Sequence, residues 1–179
     1  MKRALGLLVG TAFLATPLTG QVELGVDMVL QVTNFSSSAD FIDLDNVTTF
    51  NLPASQVRLG VFVTPQVSIE PRLGVTYGAS GGESVSGTQA QVSAYYHFPE
   101  MRGQRAAFLR FGVGASILSS SNVSDTQMLI DAGVGLKFPV RDQLLLRVEA
   151  FGGRSFESDA SRAATRLGTA FGFSWFSQN

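Results

Sequence analysis

Apolar and polar residues alternate with a period of two along most of this chain. In the stretch VRLGVFVTPQVSIEPRLGV, residues 57–75, a charged or very small residue stands between apolar ones at nearly every second position, with Pro71 in mid-run. Alternation of this kind, bounded by clusters of Gly, Ser, Asn and Asp, predicts β-strands. Eight such runs occur: 22–32, the two arms of 57–75, 89–98, 107–115, 127–138, 143–151 and 166–176. In the first, Leu24, Val26 and Met28 oppose Glu23, Gly25 and Asp27. In the sixth, Met128, Ile130, Val134 and Leu136 oppose Gln127, Asp131, Gly133, Gly135 and Lys137. Short connections at 64–66, 139–142 and 99–106 alternate with longer polar ones at 33–51, 78–88, 116–126 and 152–165. No helical period is present. The pattern predicts an all-β fold, an eight-stranded antiparallel up-and-down β-barrel, and its runs of about ten residues match the length a tilted strand needs to span a bilayer.

Alternation alone does not say which face looks outward, because a soluble barrel with an apolar ligand inside has the same period. Composition decides. Charged residues are only 15% of the 179-residue chain and hydrophobic ones 45%, against about 25% charged in ordinary soluble domains. The polar faces are rich in Gly, Ser and Gln with isolated charges, which suits the narrow interior of eight strands. The apolar faces end in aromatics: Tyr77, Tyr96, Phe98, Phe138, Phe171, Phe173 and Trp175. The apolar side is therefore expected to meet lipid, making the barrel transmembrane. With no free edge tolerated in hydrocarbon, the first and last strands must pair.

That orientation gathers Glu23, Asp27, Arg58, Glu70, Arg72, Arg110, Asp131, Lys137, Arg147, Glu149 and Arg166 into one lumen, six bases and five acids. Near-balanced charge in a poorly hydrated space calls for a paired network that plugs it. Glu70 with Arg72, and Arg147 with Glu149, stand two apart on one face and can pair locally or across to a neighbouring strand. Pro71 removes a ladder donor where a closed barrel offers no edge, so a β-bulge or a locally broken pair is expected beside it.

The N-terminus changes the picture of location. Lys2 and Arg3, an apolar run at 4–15 and a small-residue exit broken by Pro17 read as an export signal peptide at 1–20, with the barrel at 21–179. Cysteine is absent, which excludes disulfides, thiolate metal sites and Cys nucleophiles. A formal net charge of -1 gives no nucleic-acid footprint. Candidate chemistry is thin. His97 is the only histidine; Ser93, four residues away on the same strand, is out of its reach, so it reads as a rim residue. Asp40, Asp43 and Asp45 lack EF-hand spacing. The GVG triplets at 112–114 and 133–135 lack the third Gly and the helix of a dinucleotide site, so their glycines read as lumen positions. The N-x-S/T triplets at Asn34, Asn46 and Asn122 read as chance. No cofactor, metal or catalytic residue is expected.

The hairpin GVFVTPQVSIEPRLGV, the turn GVGLKFPV, the strand LLLRVEAF and the closing RLGTAFGF resemble the small eight-stranded outer-membrane β-barrel proteins of the outer-membrane protein A and X type. The last segment is similar to the β-signal read by the barrel-assembly machinery, at Arg166, Gly168, Phe171 and Phe173, although Ser177, Gln178 and Asn179 follow where such chains usually end on an aromatic. The resemblance implies a monomeric barrel of the Gram-negative outer membrane, in contact with outer-membrane lipid, that serves a structural or surface-interaction role without enzymatic activity. A narrow channel for ions or small solutes is the second reading, and a soluble periplasmic barrel binding an apolar ligand the third.

Overall fold

The structure, a computed structural model, describes residues 22–35, 47–80, 83–99, 106–120, 123–158 and 163–177. The signal peptide read at 1–20, the acidic positions Asp40, Asp43 and Asp45, and Asn46 and Asn122 lie outside them. Eight strands follow in order: β1 (Val22–Phe35), β2 (Val47–Thr64), β3 (Val67–Ser80), β4 (Glu83–His97), β5 (Ala106–Ser120), β6 (Val123–Arg141), β7 (Leu144–Ser155) and β8 (Ala164–Phe176). Each pairs antiparallel with its neighbours, and β1 closes on β8 from Glu23 opposite Phe176 to Phe35 opposite Ala164. The Val22 carbonyl, which accepts from the Ser177 amide at 2.9 Å, fastens the lower end of that seam.

The apolar face is the outer one. Leu24, Val26, Met28, Val57, Leu59, Leu73, Val75, Leu109, Phe111, Val134, Leu136, Phe171, Phe173 and Trp175 are exposed, whereas Glu23, Asp27, Arg58, Glu70, Arg147 and Glu149 are buried inside. A soluble barrel enclosing an apolar ligand has the reverse arrangement, so that reading is excluded. Tyr96 and Phe98 near the short-turn rim are also exposed and meet edge to face, 5.2 Å between centroids. Phe138 is half-buried, and the Tyr77 side chain lies outside the description.

The strands run further than the alternation of large apolar residues suggested. Residues 78–80, 83–88, 116–120 and 123–126, expected in long loops, continue the β3–β4 and β5–β6 hairpins upward, from Val75 opposite Thr88 to Ser80 opposite Glu83 and from Ser116 opposite Gln127 to Ser120 opposite Val123. Small polar residues sustain the ladder there because the outer face meets water.

The pairing stops in two places at the top of the apolar belt. The β2–β3 ladder ends at Ser55 opposite Val75, and above it β2 pairs only with β1 and β3 only with β4. The β6–β7 ladder ends at Leu129 opposite Ser155, followed by one further bond from the Phe156 amide to the Met128 carbonyl. Among the described residues the rim thus divides into two four-stranded half-sheets, β7-β8-β1-β2 and β3-β4-β5-β6. A long unpaired edge is costly in hydrocarbon and harmless in water, so splits of this extent fit the end of the membrane, whereas the single ladder bond lost beside Pro71 lies within the belt.

At the opposite rim the turns are tight. Thr64 Oγ1 accepts from the amides of Gln66 and Val67 at 3.3 and 3.0 Å, a hydroxyl standing in for a backbone acceptor. Strand β4 ends at His97, one residue earlier than read, and β7 begins at Leu144 rather than Gln143.

Pro71 breaks pairing on one side only. Toward β4 the ladder is regular, Pro71 opposite Val92 with Glu70 and Arg72 also paired. Toward β2 the pairs run from Arg58 opposite Arg72 directly to Val61 opposite Ile69, leaving Leu59 and Gly60 without partners on β3, in an unchanged register, while both stay paired with β1. The defect is a locally broken pair and not a bulge. The edge of Pro71 that lacks its N-H faces β2, which confines the loss to that seam. The bond lost is the one an amide at position 71 would donate to the Leu59 carbonyl. Pro71→Val is expected to supply that donor and to stabilise the barrel by about 1 kcal/mol, read by urea unfolding, with the new amide at position 71 protected from exchange by NMR in micelles; rapid exchange of that amide would contradict the assignment.

Candidate functional site in the barrel lumen

The inward residues of the eight strands form three layers. Nearest the tight turns is an aromatic layer: Phe62 of β2, Tyr95 and His97 of β4, Phe108 of β5 and Phe176 of β8. His97 stacks on Phe62 at 5.0 Å and on Tyr95 at 6.0 Å. Lys137 of β6 projects among them, its Nζ 5.9, 5.8 and 5.6 Å from the rings of Phe62, Phe108 and Phe176, at cation-π range. Its Nζ donates to Glu23 Oε2 at 2.5 Å.

The middle layer is a closed circuit of alternating charge. Arg58 Nε donates to Asp27 at 2.9 Å, Asp27 accepts from Arg72 at 3.4 Å, and Arg72 stands 3.6 Å from Glu149. Glu149 pairs with Arg147, Arg147 with Glu70 at 3.2 Å, and Glu70 returns to Arg58 at 3.5 Å. Two branches leave it. Arg58 also holds Glu23 at 2.6 Å and through it Lys137. Glu149 also holds Arg110 at 2.5 Å, which holds Asp131 at 2.5 Å. All eight strands take part, since Arg147 donates to the Tyr95 hydroxyl of β4 at 2.6 Å and Arg58 to Ser174 of β8. Five bases and five acids balance. An unpaired charge in so dry a space costs several kcal/mol, and here each is held by at least one opposite charge.

Glycines make the room. A Cβ at Gly25, opposite Arg58, would meet the Arg58 guanidinium, and one at Gly172, opposite both Asp27 and Arg147, would meet the Asp27 carboxylate. The expected lumen glycines Gly112 and Gly133 likewise lie against Asp131 and Glu149.

The upper layer is richer in amides. Gln31, Gln56, Gln89, Gln91, Arg72, Arg110, Asp131 and Arg166 face a cavity with about 10 Å3 in which the centre of a water can sit, room for about one water.

Ten of the eleven charges read from the sequence thus lie in one network. Arg166 stands apart, its Nη1 donating to Gln89 Oε1 at 3.2 Å. The Arg147 and Glu149 pair forms locally, whereas Glu70 and Arg72 do not pair with each other; each finds its partners across the lumen. Of the β-signal positions, Phe171 and Phe173 face outward, and Gly168 lies inward of Phe151, against whose ring a Cβ would press. The GVG triplets lie within β5 and β6.

His97 corrects an expectation. It is buried, and its Nε2 lies 3.0 Å from Ser68 Oγ on the neighbouring strand; Ser68 Oγ donates to Glu70 Oε1 at 3.2 Å. Ser68 has a single hydroxyl proton and directs it to the Glu70 carboxylate, so the His97 contact is satisfied by the tautomer in which Nε2-H donates to Ser68 Oγ. That runs opposite to a general base withdrawing a serine proton, and Ser68 is wholly buried. No sequence signal sets this contact: it depends on the β3–β4 register, which places Ser68 opposite Tyr95.

Removing one member of the circuit leaves its partners uncompensated. Arg58→Met is expected to destabilise the barrel by about 3–5 kcal/mol. Adding Glu70→Gln, which restores neutrality, should recover part of that loss, measured by urea unfolding in lipid vesicles; a double variant no more stable than Arg58→Met would show the charges to be independent.

The surroundings agree with known proteins. The family described as outer membrane protein beta-barrel domain matches residues 5–174. Among solved structures, Neisserial surface protein A superposes with a TM-score of 0.70 at 8% identity, covering 86% of this chain and 96% of that one. Outer membrane protein OprG from Pseudomonas aeruginosa gives 0.58 at 7%, covering 89% and 97%. Ail, the attachment invasion locus protein of Yersinia pestis, gives 0.50 at 8%, covering 87% and 99%. A comparison with curated proteins found no match. With its closed wall, its apolar outer belt and a family match over nearly its whole length, the chain belongs to the outer membrane protein beta-barrel domain family and is a barrel of the bacterial outer membrane.

Proposed function

We propose that this protein is a monomeric outer-membrane barrel with a plugged lumen, a structural or surface-interaction role and no catalytic activity. The observation that carries the reading is the charge circuit across the lumen. It ties all eight strands together, and the cavity described above it has room for about one water, about 10 Å3. A solute cannot pass without breaking several buried ion pairs at once. The buried, wrongly polarised Ser68 and His97 pair supports the absence of catalysis.

What such a barrel offers its surroundings is the part above the belt. The two half-sheets carry strand edges along β2 and β3 that have no ladder partner among the described residues, and such an edge is able to take up an extended segment of another chain. Their sequence also sets the charge of a partner. Segments 33–51, 78–88, 116–126 and 152–165 hold seven acids and two bases, so a cationic surface suits them and a polyanion does not. Ail has been solved with the heparin analogue sucrose octasulfate; the acidic segments argue against such a ligand here. The 1–20 leader is read as the export signal, and the strand carrying Arg166, Gly168, Phe171 and Phe173 as the element offered to the barrel-assembly machinery.

Two measurements test the reading. Planar-bilayer recordings of the refolded chain are expected to show no steady openings, and Arg72→Ala to admit brief ones; large steady conductance of the unaltered chain favours the narrow channel instead. Replacing residues 78–85 by an Asn-Gly turn removes most of the unpaired β3 edge and leaves the belt intact. Cells displaying that variant should lose most of their adhesion to a cationic protein-coated surface while retaining heat-modifiable gel mobility. Undiminished adhesion would remove the role given to that edge.

A further inference from the structure

The upper lumen is built differently from the circuit beneath it. The cavity lining holds three arginines, Arg72, Arg110 and Arg166, against one carboxylate, Asp131. Asp131 is already engaged, accepting from Gln91 Nε2 at 2.6 Å and from Arg110 Nη1 at 2.5 Å. Arg72 directs Nη2 to Asp27 and Glu149, leaving its Nε without an acceptor although the residue is only 6% exposed. Gln56, 8% exposed, has a side-chain oxygen without a partner, and its amide makes no hydrogen bond among the described residues. Arg166, part-buried, is the sixth base beside a network of five bases and five acids; among the described residues it donates a hydrogen bond to Gln89 and forms no salt bridge, Asp131 acting on it only through space.

These groups converge on one small space with donors to spare and more positive charge than negative. A buried donor without an acceptor is costly, and a charge without a counter-charge more so. Both are answered by the same ligand. We propose that the upper lumen binds one small inorganic anion of halide size, held by Arg72 Nε, the Arg166 guanidinium and the Gln56 amide. The terminal amide of Gln56 turns its NH2 toward the anion by a half-rotation, since its oxygen and nitrogen exchange places without steric change. The space excludes larger oxyanions, and a neutral water would satisfy the donors but leave the Arg166 charge unbalanced. The site does not depend on what the half-sheets bind, and a conducting lumen would overturn the plugged reading while leaving the site in place.

Bromide is the probe. Crystals of the refolded mature chain grown in sodium bromide should show an anomalous peak in the upper lumen within about 3.5 Å of Arg72 Nε and the Arg166 guanidinium, a charge-assisted hydrogen-bond distance for a large anion. In micelles, raising chloride against gluconate at constant ionic strength should raise the unfolding midpoint, as expected for a ligand of the native state. Arg166→Gln and, separately, Gln56→Leu should weaken the chloride dependence about tenfold, with folding checked by gel mobility. A lumen holding only water, a bromide peak confined to the outer surface, or a chloride dependence unchanged in both variants would overturn the proposal. The diffraction result on the unaltered chain decides the matter even where a variant fails to fold.

Discussion

Inside an eight-stranded wall a guanidinium has almost no water to solvate it, so each must find its carboxylate among the other side chains. The circuit through Arg58, Asp27, Arg72, Glu149, Arg147 and Glu70 meets that requirement, and much else follows from it. Its arginines reach across the interior and not along their own strands. Arg58 and Arg72 stand directly opposite each other on β2 and β3, a repulsive arrangement by itself, and three carboxylates drawn from β1 and β3 hold Arg58 away from its neighbour. Apolar packing of equal volume would give comparable stability; what charge adds is a single paired arrangement.

That arrangement depends equally on the residues that are missing a side chain. Across the ladders Glu23 faces Gly60, Arg58 faces Gly25, Asp27 and Arg147 face Gly172, Arg110 faces Gly133, Asp131 faces Gly112 and Gly153, and Glu149 faces Gly135. Large and absent side chains therefore alternate around the interior, as the taper of a small barrel demands. The glycines are conserved volume for their neighbours, in the physical sense that filling one displaces a charge from its partner.

The fold was legible because period-two alternation is local: each run declares its own two faces without reference to the rest. Low charge then showed which face meets lipid. The partner of each charge was not legible, because it depends on register and on the curvature of the closed wall. Glu70 and Arg72 share a strand face yet diverge, since β1, β2 and β7 bring other charges nearer. Ser68 escaped notice for the same reason, its relation to His97 lying across β3 and β4. Phe62, Phe108 and Phe176 were hidden otherwise: their positions fall on the polar parity, but apolar residues draw attention to the outer face. Strand ends above the belt were missed because Ser and Thr pair there without large apolar residues to announce them.

The reach of the circuit bears on how such a barrel enters a membrane. Glu23 meets Lys137 over 114 residues of chain and Arg58 meets Ser174 over 116, so neither contact exists until the last strands are in place. A half-inserted sheet would hold Arg58, Arg72 or Glu149 in hydrocarbon with its circuit open, beside backbone edges equally unpaired. Sealing the wall and neutralising the interior are therefore one event. The barrel has no stable halfway state, and its assembly is cooperative from the first hairpin to the meeting of β8 with β1.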